Sequence, residues 1–232
     1  MVEQEQALWA AADVVWTSSQ GLQRRALGQG VNALYVPNGI HATAYRTPPT
    51  RPMPRHGSRH GGLVLGYVGS IAPWFDWQAL AALAAIRPHD EIRLIGPLHC
   101  GVPARLPRNV LLCPPVAHAQ IPIVLQTLDW GLIPFLENRL TDAVDPIKYY
   151  EYRAAGCPVL STPFGDMRTR GRADGVWAWE EALARPALLE EVAGSNCSPT
   201  ADWISEQDWC RRFERAWQQT DLFLDGAYNS AA

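Results

Sequence analysis

The stretch from Asp145 to Ser161 combines a short helix with a buried strand that follows it almost at once. Pro146 suits the first helical turn, because proline lacks the N–H that would have no partner there and its φ is already helical. Asp145, directly before it, is expected to cap the helix with its carboxylate. Gly156 lies where a left-handed cap belongs, and the apolar residues over 157–161 predict the strand. A helix and a buried strand joined this tightly indicate an α/β unit.

The same alternation of helix and strand extends along most of the chain. Apolar segments bounded by turn residues predict further strands over residues 13–17, 33–36, 63–68, 91–95, 109–112, 129–134 and 174–178. Apolar residues at helical spacing predict helices over residues 3–12, 18–28, 76–86, 118–126, 179–192 and 201–224. This alternation predicts an α/β fold: a doubly wound, Rossmann-like parallel sheet, covered by helices on both faces and joined by right-handed crossovers.

A polar segment divides the chain. Residues 47–62 contain prolines, arginines and histidines with almost nothing apolar, which is the composition of a linker. Before it, residues 1–46 form a βαβ fragment that is too small to bury its own faces. After it, we expect residues 63–200 to form the main domain, residues 201–225 a tryptophan-rich amphipathic helix, and residues 226–232 a disordered tail.

Two charged side chains lie on the opening turn of the proline-led helix. Lys148 and Glu151 are three residues apart and therefore share one face. This turn, which starts near Ile147, offers free backbone N–H groups and a partial positive charge, both suited to phosphate. Ligands of such sheets bind at the carboxyl ends of the strands, where Gly69 and Ser70 would let a phosphate approach the backbone closely. We therefore expect Lys148 and the glycine turn to bind a diphosphate, and Glu151 to bind ribose hydroxyls.

The run from Pro146 to Val159 resembles the donor-binding signature of GT-B-fold glycosyltransferases, Pro-x-Lys-x-x-Glu-Tyr-x-Ala-x-Gly-x-Pro-Val. Residues 11–18 and 35–40 resemble the last strand, helix and strand of such an enzyme's N-terminal domain. Residues 65–70 resemble the first strand and glycine-rich turn of its C-terminal domain. The resemblance covers most of the chain from residue 11 to 165, in the family's order.

This resemblance implies a GT-B C-terminal domain that binds a nucleotide diphosphate sugar, with residues 1–46 as a remnant of the N-terminal acceptor domain. It implies that main-chain atoms near Val116 hold the nucleobase and that the helix over 201–225 braces the N-terminal domain. The polar loop over 134–142 lies above the same edge of the sheet. Its candidate ligands for the donor sugar are Asn138, Thr141 and Asp142, although surface loops are also polar without any such role.

The resemblance also implies an activity, the transfer of a sugar from a nucleotide diphosphate donor to a polysaccharide or lipid-linked acceptor, without a metal. In this family the N-terminal half supplies the acceptor site, so the chain as given is expected to bind the donor without transferring sugar. We expect the full enzyme to associate peripherally with a membrane. The apolar face of the helix over 201–224 is expected to favour self-association.

Two positions depart from the family's pattern. Many retaining members carry a glutamate eight positions before the one that matches Glu151, and here that position is Ala143. The corresponding contact to the donor sugar is then either missing or supplied by Asp142 or Asp145. Those members also place basic residues after the first glycine-rich turn, whereas this chain has none there, so Lys148 would carry the phosphate charge largely alone.

Composition restricts the partners and the cellular compartment. A net charge of −3 gives no electrostatic case for nucleic acid as a partner. The five cysteines are scattered and form no Cys-x-x-Cys pair, which predicts reduced thiols in a cytoplasmic protein. His99, Cys100, Cys113 and His118 match no zinc spacing, so no metal is expected. The first residues lack an apolar signal core, and no apolar run is long enough to span a bilayer.

Two other classes of function compete with this interpretation. An NAD-dependent oxidoreductase would need Gly-x-Gly-x-x-Gly after a strand, and the segment over 65–70 lacks that spacing. A non-catalytic nucleotide-sugar-binding or regulatory module that partners another chain stays open, because the acceptor half would be missing in both cases.

Overall fold

The computed structural model describes residues 2–45, 61–193, 195 and 197–230. Most of the predicted linker over 47–62 lies outside the described residues.

In the described part of the chain, all strands belong to two parallel sheets. A small sheet pairs β1 (Val15–Thr17) with β2 (Ala33–Tyr35). The strands of the large sheet are β3 (Val64–Val68), β4 (Glu91–Ile95), β5 (Val110–Cys113), β6 (Trp130–Ile133), β7 (Val159–Ser161) and β8 (Val176–Ala178). They are hydrogen-bonded in the order β5-β4-β3-β6-β7-β8, and every pair is parallel. This confirms the predicted α/β fold with a parallel sheet.

Helices cover the sheet on both faces. Their bounds are α1 (Val2–Ala11), α2 (Gln20–Leu27), α3 (Trp77–Ile86), α4 (Ile121–Leu125), α5 (Ile147–Ala154), α6 (Trp179–Ala184), α7 (Leu188–Ala193), α8 (Ala201–Glu206) and α9 (Trp209–Ser230). From β3 the chain steps through α3 to β4, and from β6 it steps through α5 to β7 in the opposite direction. Right-handed crossovers therefore place α3 and α5 on opposite faces. The core between them contains fully buried residues of the central strands, among them Leu65, Ile92, Leu132 and Leu160.

Two predicted helices are each divided in the structure. The helix predicted over 179–192 is interrupted because proline disfavours a helical conformation in the residue before it, and Arg185, before Pro186, has φ −137° and ψ 79°. The helix predicted over 201–224 is interrupted before Asp208. The Asp208 carboxylate accepts hydrogen bonds from the backbone N–H groups of Cys210 (2.9 Å) and Ala42 (2.9 Å), so it caps α9 and ties it to the N-terminal segment.

The disorder predicted for the tail over 226–232 stays a prediction. The backbone of α9 remains helical through Ser230, and residues 231–232 lie outside the described part. Gly226 does not end the helix, because a single glycine costs a helix only about 1 kcal/mol and no proline follows it. Among the described residues, no helix combines the length and apolar character needed to cross a membrane.

The predicted N-cap of α5 is also wrong. The helix starts at Ile147, and Pro146 precedes it in an extended conformation with φ −77° and ψ 123°. Asp145 does not cap it, because its fully buried carboxylate accepts hydrogen bonds from Arg170 (2.6 Å) and from the Tyr150 hydroxyl (2.8 Å). At the other end, Gly156 has φ +78°, the predicted left-handed conformation.

The N-terminal segment is attached to both the large domain and α9. The Trp16 ring packs against Phe213 and Trp217 of α9 at centroid distances of 6.1 and 5.1 Å, and its indole N–H donates to Thr220 (2.9 Å). Asn38, just after β2, donates its backbone N–H to the Asp145 carboxylate (3.1 Å). The segment before the linker is therefore anchored beside the start of α5.

Candidate functional site

The order of the large sheet defines a crevice between β3 and β6. The chain winds outward from β3 in one direction and from β6 in the other, and ligands of doubly wound sheets bind at such a switch point, outside the carboxyl ends of the strands. Gly69 and Ser70 follow β3 at this edge, and α5 begins near it after the loop that follows β6. The structure thus brings the predicted glycine turn and the predicted helix start to the same crevice.

Gly69 and Lys148 are in direct contact across this crevice. Gly69 has φ +140°, a conformation that favours glycine, and a Cβ atom there would lie only 2.5 Å from Lys148 Cε and 2.6 Å from Nζ. A Cβ on Gly96, after β4, would in turn collide with the Gly69 carbonyl oxygen. Two glycines therefore let the backbone pack closely beneath the lysine amine.

The Lys148 ammonium is left with its hydrogen-bond donors unused. Among the residues that the structure describes, it has neither a hydrogen-bond partner nor an ion-pair partner; it lies over the rings of Tyr67 (5.2 Å) and Phe135 (5.7 Å). Burial lowers the pKa of Lys148, and the Glu151 carboxylate partly opposes this effect. A partly buried cation beside a glycine turn and a helix N-terminus is suited to bind a phosphate group.

Glu151 lies one turn further along α5, in a cleft that also contains Ile147. The N-terminal segment and α9 complete the walls of this cleft with Tyr45 and Trp209. The Glu151 carboxylate is buried, and the nearest basic group is Nε2 of His118 at 3.8 Å. Burial raises the pKa of Glu151, while Lys148 and His118 lower it by smaller amounts. No described residue donates a hydrogen bond to this carboxylate, so its oxygens can accept bonds from hydroxyl groups of a ligand.

The three candidate loop residues already have partners within the protein. The buried Thr141 hydroxyl donates to the Leu136 carbonyl (2.5 Å). The Asn138 side chain accepts from the backbone N–H groups of Leu140 (2.9 Å) and Thr141 (3.1 Å), and Asp142 pairs with Arg168. These bonds shape the loop above the crevice. A contact of these three residues with a donor sugar stays a prediction.

The other candidates can be placed as well. Val116 lies in the loop after β5, partly buried against the core, and a role for its backbone in holding a nucleobase stays a prediction. Of the two carboxylates expected to replace the family's glutamate, Asp145 is fully buried and bound to Arg170. Asp142 is exposed and pairs with Arg168, and a contact of either carboxylate with a donor sugar stays a prediction. The described residues include no group of three or more His, Cys, Asp or Glu side chains that could hold a metal ion.

Sequence reasoning missed three residues that contact the site. Tyr67 and Phe135 lie under the Lys148 ammonium, and His118 faces Glu151. An aromatic residue on or just after a central strand is normally interpreted as core, so no sequence pattern distinguished the first two. For His118 the sequence suggests only a metal-ligand role, and its spacing does not support one. Its position after β5, at the carboxyl edge of the sheet, was the available signal.

The parallel sheet, its strand order and this crevice together give the class of protein. The chain has the fold of the GT-B glycosyltransferases, as the sequence resemblance implied.

Comparisons with known proteins agree with this fold. The chain is 28% identical over 177 residues to TuaH of Bacillus subtilis (strain 168), named provisionally as a teichuronic acid biosynthesis glycosyltransferase; the match covers 69% of this chain and 44% of TuaH. HepE from Anabaena, solved in complex with UDP, has a TM-score of 0.65 at 18% identity over 90% of this chain and 64% of HepE. TarM from S. aureus, solved as a mutant with fondaparinux, alpha-GlcNAc-glycerol and UDP, has a TM-score of 0.66 at 13% identity over 93% of this chain and 44% of TarM. No family model matches the chain. The chain therefore spans only part of the length of each relative.

Proposed function

We propose that this chain is the nucleotide-sugar-binding part of a glycosyltransferase, which transfers a sugar from a nucleotide diphosphate donor to a polysaccharide or lipid-linked acceptor. The observation that carries the proposal is the Lys148 ammonium, which lies against Gly69 at the switch point with no hydrogen-bond or ion-pair partner among the described residues. The UDP in the HepE and TarM structures supports a uridine diphosphate donor.

The chemistry follows from the charges at the site. When the bond between the sugar and the diphosphate breaks, negative charge develops on the leaving diphosphate. We assign the stabilisation of that charge to Lys148 and to the backbone N–H groups of Ile147 and Lys148 at the start of α5, because donors held in place before the reaction stabilise developing charge without a metal. Glu151 binds the ribose hydroxyls and so sets the position of the nucleotide along the cleft. The acceptor site belongs to the part of the enzyme that corresponds to the relatives' remaining length.

The compartment and assembly extend the same proposal. None of the five cysteines, all of which lie in the described part of the chain, forms a disulfide, which fits the cytoplasm, where nucleotide-sugar donors would be used. The α9 helix exposes Phe213, Trp217 and Leu222, with Trp217 60% exposed. An apolar face of this kind supports self-association, or peripheral contact of the full enzyme with a membrane.

The proposal is tested by thermal unfolding of the chain with different nucleotides. UDP or GDP is expected to raise the melting temperature, because a ligand that binds only the folded state stabilises it by mass action, by about 2.7 kcal/mol at a hundredfold excess over Kd. NAD is expected to have no effect. Stabilisation by NAD with none by either nucleoside diphosphate would favour an oxidoreductase and contradict the proposal.

Replacing Glu151 with glutamine is expected to weaken UDP binding by about 1 kcal/mol while leaving pyrophosphate binding unchanged, since its partner is the ribose. The variant should also be more stable than the wild type at neutral pH without ligand. The pKa of Glu151 is raised in the folded state above its ordinary value of 4.5. The stability of the wild type therefore falls as the pH rises from 4.5 through the raised pKa. Calorimetric titration and urea unfolding measure both effects.

Glu180→Gln, an exposed substitution on α6, is the matched control and should change neither quantity. An equal loss of UDP and pyrophosphate affinity in Glu151→Gln would remove the role assigned to this carboxylate.

A further inference from the structure

The contacts of Lys148 are unusual for a partly buried cation. It is the only lysine in the chain, although the chain contains 20 lysine and arginine residues in total. Its ammonium lies 5.2 Å from the Tyr67 ring centroid and 5.7 Å from the Phe135 ring centroid. A cation within about 6 Å of an aromatic face is attracted by the negative potential of that face, more strongly where water is excluded.

Both rings are held rigidly. Tyr67 is completely buried and packs edge-on against Phe75 (5.0 Å) and Phe135 (6.2 Å). Phe135 packs against the Phe164 ring (4.9 Å), and its backbone N–H donates to the Thr162 hydroxyl (2.9 Å). The two faces therefore form a fixed support for the amine.

Tyr67 also holds the glycine turn. Its hydroxyl donates a hydrogen bond to the Ser70 carbonyl oxygen (2.6 Å). One side chain thus contacts both parts of the expected diphosphate site, the cation on α5 and the turn after β3.

This arrangement has a consequence for binding. Aromatic faces stabilise a buried positive charge without occupying its N–H donors, whereas a carboxylate partner would compete with the ligand for them. Residues 71–78, which follow the turn, contain no lysine or arginine. No second cation in this segment can therefore help Lys148 to neutralise the negative charge of the diphosphate.

We infer that Tyr67 and Phe135 form an aromatic cage that positions Lys148 for the diphosphate of the donor, with Tyr67 coupling the lysine to the Gly69–Ser70 turn. This inference rests on the proposed function. Tyr67 and Phe135 are positioning residues, since they act on the ligand through Lys148 and the turn.

The cage has a direct spectroscopic signature. Because the chain has one lysine, selective ¹³C-lysine labelling of the intact protein gives a single set of lysine side-chain NMR signals. Ring currents should move the ε-methylene protons upfield of their ordinary position in the wild type and in Tyr67→Phe. The shift should shrink in Tyr67→Leu and in Phe135→Leu. Trp177→Leu, which removes a buried ring that packs against Trp130 and against neither cage ring, is the matched control and should keep the full shift. A wild-type signal at the ordinary position would overturn the inference.

Binding measurements test the coupling. Tyr67→Phe keeps the ring and loses the bond to Ser70, so UDP affinity should fall by about threefold. Tyr67→Leu should lose about 3- to 30-fold more. In a Lys148→Ala background this additional loss should disappear, and uridine without phosphate should bind equally to all variants.

If Tyr67→Leu does not fold, Phe135→Leu replaces it in the same cycle. If the wild type binds UDP but the affinity losses of Lys148→Ala and of the cage substitution simply add in the double variant, the cage is overturned and the proposed function is not. A wild type that binds no UDP would overturn the proposed function together with this inference.

Discussion

Replacing Lys148 with alanine is expected to weaken UDP binding by about 1.5–3 kcal/mol, which is roughly 10- to 150-fold. The lost interaction is a charge-assisted hydrogen bond to the diphosphate, and the turn from Gly69 to Gln78 offers no other cation to replace it. Lys148→Met, which keeps most of the aliphatic stem, should show a similar loss if the charge is the cause. Isothermal titration calorimetry at a fixed salt concentration measures it.

The same substitution should not destabilise the ligand-free chain. Burial lowers the pKa of Lys148 in the folded state, so the charged amine opposes folding at neutral pH, and stability rises as pH increases through the lowered pKa toward 10.5. Arg185→Ala removes a charge of the same sign from an exposed pair with Glu191 (2.8 Å) and should change the UDP Kd by less than about twofold. Unchanged UDP affinity in Lys148→Ala would exclude the amine as the diphosphate ligand.

Sequence reasoning located most of the fold because its signals are local. The strand predicted over 91–95 coincides with β4, and the strands and helices around it lie within a few residues of their predicted positions. Apolar runs, helical spacing and turn residues are readable within a short window. The errors fall where a contact with a distant residue decides the outcome. Asp208 interrupts a helix because it also binds the backbone of Ala42.

The candidate site was predictable to the same extent. The spacing of Lys148 and Glu151, and the position of Gly69 after a central strand, were enough to bring the two elements together through the switch-point rule. The aromatic cage was not predictable, because Tyr67 is distant from Lys148 in sequence and its ring direction depends on packing. The sequence showed that no second cation follows the turn, but not that aromatic rings support the single lysine.

Asp145 shows how a local rule can lose to a tertiary contact. A carboxylate before Pro146 is a good N-cap candidate by local preference. In the structure the same carboxylate binds Arg170 and the Tyr150 hydroxyl and accepts the backbone N–H of Asn38. Three partners from three segments outweigh one bond to a helix end, and they join the N-terminal segment to the start of the helix that carries Lys148.

Replacing Asp145 with alanine is therefore expected to lower the free energy of unfolding by about 3–5 kcal/mol, the range for breaking a buried ion pair from one side. The Asp145 side chain is 0% exposed, and the variant leaves the Arg170 guanidinium, itself 11% exposed, without its carboxylate. The faces of Tyr149 and Tyr150 would still contact that guanidinium, at 3.9 and 5.2 Å, which limits the loss to this range. Urea unfolding followed by tryptophan fluorescence measures it.

The control for this substitution lies three residues earlier in the same loop. Asp142 pairs with Arg168 at the surface, so Asp142→Ala should cost at most about 1 kcal/mol. Because Asp145 also holds the Asn38 backbone, Asp145→Ala should speed hydrogen exchange of the Asn38 amide, whereas Asp142→Ala should not. Similar small losses in both variants, with Asn38 equally protected, would show that Asp145 does not join the two parts of the chain. A large loss confined to Asp145→Ala would show that the helix carrying Lys148 and Glu151 depends on this buried carboxylate for its attachment to the N-terminal segment.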